Sequence, residues 1–261
     1  MKLTGIEISN HDKIWFPKKN ITKGQVVEYY YSIADKILPY LKDRPLSLER
    51  YPDGIAKDGF YQKRAPEYFP SFVKTVKIKT EDDEIEQVVC NTRKTLIYLV
   101  NQGTLCFHTW QSRIDKIDKP DKVIFDLDPS THSFKKVKDV ASIIGEYLTK
   151  KNIKSNLMTT GKSGLHVWYK IRRTKTFNTV HEEVKAMAKE IEQKHPKLCT
   201  TEMRKNKRSD KIFIDYLRNS YGQTSVCPYA LRPNQSAGIA MPIEWKKLSS
   251  LKSSTTFTLD N

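Results

Sequence analysis

Two aspartates one residue apart, Asp126 and Asp128 in Phe125-Asp126-Leu127-Asp128-Pro129, are the residues of this sequence whose spacing most directly suggests chemistry. Side chains alternate faces along a β-strand, so both carboxylates project from one face while Val123, Phe125 and Leu127 project from the other. Adjacent carboxylates repel unless a cation lies between them, and oxygen donors at this spacing suit hard divalent ions. The bland alternative is a solvated Asp-x-Asp before a proline turn. A third acid, Asp215, closes the β-branched run Ile212-Phe213-Ile214, where strand propensity would favour another hydrophobe. Three carboxylates on neighbouring strands can hold two metal ions about 3.5 to 4 Å apart, an arrangement that stabilises the attacking and leaving oxygens of phosphoryl transfer. The competing role for Asp215 is a salt bridge to Arg208 or Arg218.

Between two further β-runs lies Thr159-Thr160-Gly161-Lys162-Ser163-Gly164-Leu165-His166. Its glycines permit a tight turn that exposes backbone N–H groups, and the lysine and hydroxyls add donors, a combination suited to phosphate oxygens. The spacing is not that of a P-loop. Beyond the turn His166, Trp168 and Lys170 share a strand face, which lets His166 reach the sheet surface of the acids.

These residues need a sheet to position them. The rhythm of the second half supplies one: a strand at 123–127, helical spacing of Phe134, Val137, Val140, Ile144 and Leu148, strands at 155–160 and 165–171, a second helix through Val180, Val184, Met187, Ala188 and Ile191, and a strand at 212–217. The order β-α-β-β-α-β matches a split βαβ sheet of the ferredoxin-like or RNA-recognition type. Upstream, Thr22 caps a helix expected to end at Pro39, and a second helix is expected from Thr92 to about Gly103. Short β-runs lie at 46–50, 72–78 and 87–90, with Glu81-Asp82-Asp83-Glu84 read as a solvated hairpin tip. The expected class is therefore α/β (α+β): an N-terminal α/β portion over about 1–115 and a catalytic portion over about 116–248, together one domain. A Ser/Thr-rich tail over 249–261 reads as a surface strand or frayed end.

The chain has 261 residues, and 46 Lys and Arg against 30 Asp and Glu give a net charge of +16, which favours a polyanionic partner. A hydrophobic content of 38% with 10% aromatics excludes a disordered polycation. No apolar run reaches the length of a membrane span and no signal-peptide pattern opens the sequence, so no membrane partner and a cytoplasmic location are expected. Cys90, Cys106, Cys199 and Cys227 form no C-x-x-C pair, so neither a zinc knuckle nor a disulfide scaffold is indicated; His195 before Cys199 reads as structural.

The combination Asp126-x-Asp128, Thr160-Gly161-x-x-Gly164-x-His166 and Phe213-Ile214-Asp215 resembles the three motifs of the archaeo-eukaryotic primase superfamily. More closely, Asn10-x-Asp12-Lys13, Ile21-Thr22-Lys23-Gly24, Asp43-Arg44-Pro45, Arg50-Tyr51-Pro52-Asp53-Gly54, Pro228-Tyr229-Ala230-Leu231-Arg232 and Pro242-Ile243-Glu244-Trp245 resemble the polymerase domain of ligase D, a prokaryotic end-joining polymerase/primase. The resemblance spans about Ile6 to Leu248.

It implies a primase-like fold and template-dependent addition of nucleotides, rNTP or dNTP, at broken DNA ends. By the same resemblance Asp126, Asp128 and Asp215 bind two divalent ions, Mn2+ or Mg2+. His108, Thr160, Lys162, Ser163, His166 and Arg232 hold the triphosphate. This loop reads Thr-Gly-Lys-Ser-Gly where relatives commonly have Ser-Gly-x-Lys-Gly, which leaves open whether Lys162 or Ser163 touches phosphate. Asn10, Lys13 and Lys23 would grip the 5′-phosphate of a downstream strand. Phe60 and Tyr61 are stacking candidates, with strand alternation predicting that only one is exposed. Lys63, Arg208 and Arg218 are candidates for DNA or triphosphate contact. Expected partners are gapped, nicked or overhanging 5′-phosphorylated DNA ends, a Ku-type end binder and a separate DNA ligase, since no ligase domain fits this length; nucleoid association follows. Rival readings are a non-catalytic platform that aligns DNA ends and a primase that needs no primer.

Overall fold

The computed structural model describes residues 1–80, 83–130 and 133–260, which divide into two compact units. The first comprises Met1–Asp115, Thr224–Ala240 and the final residues from Thr258; the second comprises Lys116–Gln223 and Met241–Phe257.

The second unit is a six-stranded sheet in the order Cys199–Thr200, Ile212–Asp215, Lys122–Pro129, Leu165–Lys170, Asn156–Thr159, Pro242–Ile243. Its four central strands have the split βαβ order, fourth-first-third-second in chain order, each antiparallel to its neighbours. Two helices, Phe134–Lys150 and Phe177–Lys194, cover one face. Val123, Phe125 and Leu127 pack there with Val137, Ile144 and Leu148 of one helix and Val180, Val184 and Ile191 of the other. Each such side chain contributes about 1.5 to 3 kcal/mol on burial. Alternation sends Asp126 and Asp128 to the opposite face.

The last strand stops at Asp215, short of the expected 217. The Asp215 carboxylate accepts the Leu217 N–H at 2.9 Å, and this local bond turns the chain out of the ladder into the 3-10 turn Leu217–Asn219. Asn219 then doubles back: its Oδ1 accepts the Ile124 N–H at 2.8 Å and its Nδ2 donates to the Ile124 carbonyl at 2.7 Å.

The first unit has a four-stranded sheet in the order Thr224–Val226, Thr104–Trp110, Leu46–Arg50, Phe60–Gln62, and a core containing Trp15, Phe16, Tyr30, Leu48 and Phe107. Thr22 caps its first helix with a complete capping box. That helix ends at Ser32, however, and a second runs Ala34–Leu41 with Pro39 inside it. Pro39 and Asp35, the residue whose carbonyl it leaves without an N–H, are both exposed, so the lost bond falls on the solvent side of the helix. The helix Arg93–Asn101 starts from its expected cap, Thr92, which accepts the Thr95 N–H at 3.1 Å. Lys74–Lys79 and Glu84–Val89 form the expected hairpin. Glu81 and Asp82 of its tip lie outside the described residues. Among the described residues no helix is long and apolar enough to cross a membrane.

The Ser/Thr-rich tail does not fray. Leu251 and Ser254 are buried, and Lys138 Nζ donates to the carbonyls of Ser249 and Leu251 at 2.9 and 3.0 Å.

Candidate active site

Strand register assembles the acids. Asp126 lies directly opposite Asp215 on one side and opposite His166 on the other, while Asp128 lies opposite Phe213. Carboxylate oxygens of Asp126, Asp128 and Asp215 lie within 4.8 Å of one another, with Asp126 and Asp215 buried and Asp128 half-buried. Burial raises the Asp128 pKa to about 6, helped by the Asp126 and Asp215 charges. Burial also raises that of Asp215, against the opposing pull of Arg218. A donor set of three carboxylates, all oxygen and crowded enough to perturb one another, fits a hard divalent cation.

Two side chains hold the triad in place. His166 Nε2 lies 3.1 Å from Asp126 Oδ1; Arg218 Nε lies 3.4 Å from Asp126 Oδ2 and 3.2 Å from Asp215 Oδ2. Burial works against the Arg218 charge, but Asp215 and then Asp126 hold its pKa above the ordinary value. The salt bridge considered for Asp215 is thus formed, with Arg218. Arg208 is placed differently: its Nε donates to the Glu202 carbonyl at 2.8 Å, its Nη2 to that of Met203 at 2.6 Å, and its guanidinium stacks 3.7 Å from the Phe213 ring centroid.

The glycine turn is docked against the acid-bearing strand. Gly161 has φ +68°, and a Cβ on Gly164 would stand 2.2 Å from the Leu127 carbonyl oxygen, so a side chain at 164 would force the turn away from Asp128. Thr160 is buried, and its hydroxyl accepts the Gly164 N–H at 3.1 Å, shaping the turn from inside. Lys162 and Ser163 are exposed. They border a cleft of about 430 Å³ with Lys205, Ser253 and Ser254, beside Pro129 at the end of the Asp128 strand. Ser254, in the tail, was not singled out from the sequence; its hydroxyl donates to the Gly164 carbonyl at 2.6 Å and meets Thr160 Oγ1 at 3.2 Å. A larger cleft, about 810 Å³, runs along the helix Phe134–Lys150 beside Trp245; it contains none of the triad.

In the first unit the two candidate lysines come together through the backbone. The Lys23 N–H donates to the Lys13 carbonyl at 2.8 Å, and the Lys13 N–H to that of Asn10 at 3.0 Å, with Asn10 in the left-handed region at φ 48°. Lys23 is buried and its Nζ donates to Ser9 Oγ at 3.0 Å; burial, and then the Lys13 charge, lower its pKa to about 8. Lys13 Nζ pairs with Asp53, whose pKa is lowered by that bond. Asn10 and Lys13 border an open cleft with His11 and Asp12.

His108 is buried, with Nε2 3.1 Å from Glu49 Oε2. Phe60 and Tyr61 are both exposed, at 47% and 58%, contrary to the alternation argument. Their strand is the sheet edge, paired only with Leu46–Arg50, and neither of its faces is fully covered. Arg50 lies 5.4 Å from the Phe60 ring centroid and His108 meets the Tyr61 ring edge-on at 5.4 Å. Although much of the ring is exposed, partial desolvation of the Tyr61 hydroxyl beside Glu49 pushes it up to about 12, with the Glu49 charge adding to it. Lys63, just past that strand, is exposed. Arg232 is buried and its Nε has no hydrogen-bond partner among the described residues.

The family description "LigD, primase-polymerase domain" matches residues 22–261. The bifunctional non-homologous end joining protein LigD of Bacillus subtilis is 31% identical over 257 residues, covering 98% of this chain and 41% of the relative. The multifunctional non-homologous end joining protein LigD of Mycolicibacterium smegmatis is 28% identical over 247 residues, covering 94% of this chain and 32% of the relative. The chain thus spans only 41% and 32% of the length of these two relatives. The polymerase domain of Mycobacterium tuberculosis ligase D, solved in complex with DNA, superposes with a TM-score of 0.91 at 23% identity, covering 98% of this chain and 92% of that one. With the split βαβ sheet, the acids on the face away from its two helices and a family match across nearly the whole sequence, the chain belongs to the LigD primase-polymerase domain family.

Proposed function

We propose that this chain is a template-directed, metal-dependent nucleotidyltransferase that fills gaps and extends ends at DNA double-strand breaks during non-homologous end joining. The observation that carries this reading is the meeting of Asp126, Asp128 and Asp215 within 4.8 Å on the sheet face away from the two helices. Mn2+ or Mg2+ held by these three carboxylates would stabilise negative charge on the attacking 3′-hydroxyl and on the departing pyrophosphate.

The chain's own residues have distinct parts. His166 and Arg218 fix the carboxylate planes of Asp126 and Asp215, so the donor set is arranged before a ligand arrives. Lys162 and Ser163, with Lys205 across the cleft, offer charge-assisted donors to a triphosphate. Thr160 and Ser254 hold that turn in shape. By family resemblance, His108 and Arg232 contribute phosphate contacts, and the orphaned buried Nε of Arg232 supports an anionic ligand there. Lys13, Lys23 and Asn10 bind a 5′-phosphate, Phe60 and Tyr61 present rings for a base to stack on, and Lys63 meets the DNA backbone.

The relatives are named as end-joining proteins and the solved neighbour is a complex with DNA. We extend both to this chain: its substrates are 5′-phosphorylated gapped, nicked or overhanging ends with rNTP or dNTP, its partners a Ku-type end binder and a ligase activity, and its place the nucleoid. The test is gap filling on phosphorylated and unphosphorylated gaps with Mn2+ or Mg2+ and with each nucleotide class. Extension by the wild type that is lost in D126A/D128A is the expected result. Alignment of DNA ends without extension by the wild type would overturn it in favour of a non-catalytic platform.

A further inference from the structure

The spacing of the cysteines shows no zinc motif, yet strand pairing builds a mixed donor set that spacing alone does not reveal. Glu49 lies directly opposite Cys106 across two antiparallel strands, and Cys106 and His108, two residues apart, point to the same face. One donor atom from each of Glu49, Cys106 and His108 lies within 4.8 Å of the others, and all three residues are buried. The Glu49–His108 pair already stands at 3.1 Å.

We propose that Glu49, Cys106 and His108 form a binding site for a borderline-soft transition metal ion of the zinc class, separate from the all-carboxylate triad. Thiolate, imidazole and carboxylate are the three donor types that zinc takes, and a thiolate disfavours magnesium. Donors around a tetrahedral zinc ion sit about 3.3 to 3.6 Å apart given its bond lengths. The present cluster therefore needs only a small side-chain contraction on the sulfur side. Two anionic donors neutralise a divalent ion, so the buried charge balances once the ion is in place. Strand pairing fixes His108 from both sides and Cys106 from the side of Glu49, and the third donor comes from that adjacent strand, which gives a preorganised three-ligand site. The exposed Tyr61 ring lies against His108 on the uncovered edge strand and marks the side from which an ion would enter.

The probe is Co2+ titrated into the ion-stripped full chain. One equivalent should bind with a thiolate-to-cobalt charge-transfer absorption, be displaced by equimolar Zn2+, and persist in excess Mg2+. D126N/D128N should keep the signal, which separates this site from the triad: that variant removes the activity on which the proposed function rests without touching the thiol. C106S should abolish the absorption, whereas C90S and C199S should retain it. Should C106S fail to fold, E49Q and H108A should each weaken Co2+ binding about tenfold or more. Absence of a thiolate band in the wild type, its survival in C106S, or unchanged Co2+ affinity in E49Q and H108A would overturn the proposal.

Discussion

Two regions of this molecule set like charges close together, and they compensate them in different ways. In the acid triad the repulsion of three carboxylates is offset by counter-charges from the protein itself, Arg218 between Asp126 and Asp215 and His166 on Asp126. At the lysine pair the compensation is uneven: Lys13 has Asp53, but Lys23 donates only to a serine hydroxyl, and burial, then the Lys13 charge, lower its proton affinity. A site that carries its own counter-ions keeps its geometry and selects a ligand by coordination. A cation left with a neutral partner instead gains most when an anion arrives, and so discriminates by charge. On the proposed function, the triad would be the chemical half and the lysine pair the half that recognises a terminus.

The strongest way to break the comparison is to remove the acids. D126A/D128A should lower primer extension by on the order of 10² to 10³-fold or more while leaving affinity for a phosphorylated gap intact, measured side by side by extension and by fluorescence anisotropy. Joint loss of both would show that the two regions are not separate in function. Next in size, K13A and K23A should each reduce the preference for 5′-phosphorylated over unphosphorylated gaps by roughly tenfold, with unprimed nucleotide binding unaffected; an unchanged ratio would remove the lysines from the account.

Proton linkage sharpens the contrast, because the two regions respond with opposite signs. Asp128 has a folded pKa of about 6 against 3.8 for the free side chain, so its stabilising contribution is complete in acid and is lost as pH rises through 6. Added Mn2+ should therefore raise the Tm by a few degrees near pH 7.5 and hardly at all near pH 4.5. Lys23 has a folded pKa of about 8 against 10.5, so its ammonium destabilises the fold at neutral pH and stability is regained between those values. Affinity for the 5′-phosphate should fall as pH rises through 8, and K23R, which stays charged, should flatten that dependence. The smallest effect concerns the turn: S254A should raise the KM for nucleoside triphosphate about fivefold with little change in kcat, the equivalent of one hydrogen bond of about 1 kcal/mol.

Much of the triad was legible in the sequence because alternation is a strict rule. An acid at every second position of an apolar strand, and another ending a β-branched run, leave little freedom about which face they share. The paired register of Asp126 and Asp215 needed only the split βαβ order to follow. What could not be read depends on neighbours distant in sequence. Glu49 and Cys106 are 57 positions apart and meet through pairing alone. Ser254 sits in a polar stretch whose composition suggests exposure, yet two hydrogen bonds to the 160–164 turn bury it. Phe60 and Tyr61 were misjudged because alternation predicts one covered face, and an edge strand has none that is fully covered. Pro39 looked like a helix end, but the bond it removes falls on the solvent side of the helix. The Cys106-x-His108 alternation was the one signal in the sequence that could have raised the metal site.

Asn219 imposes a further condition on the sheet. The strand Lys122–Pro129 is interior, but its neighbour stops at Asp215, which would leave the flank at Ile124 with an unpaired amide and carbonyl. One carboxamide supplies the missing rung, donor to acceptor and acceptor to donor. A bare flank of this kind is where a further strand could pair, and the Asn219 side chain occupies it. Aspartate has nearly the same shape but cannot donate to the Ile124 carbonyl, and its presence at 219 would reopen that flank a few residues from the acids.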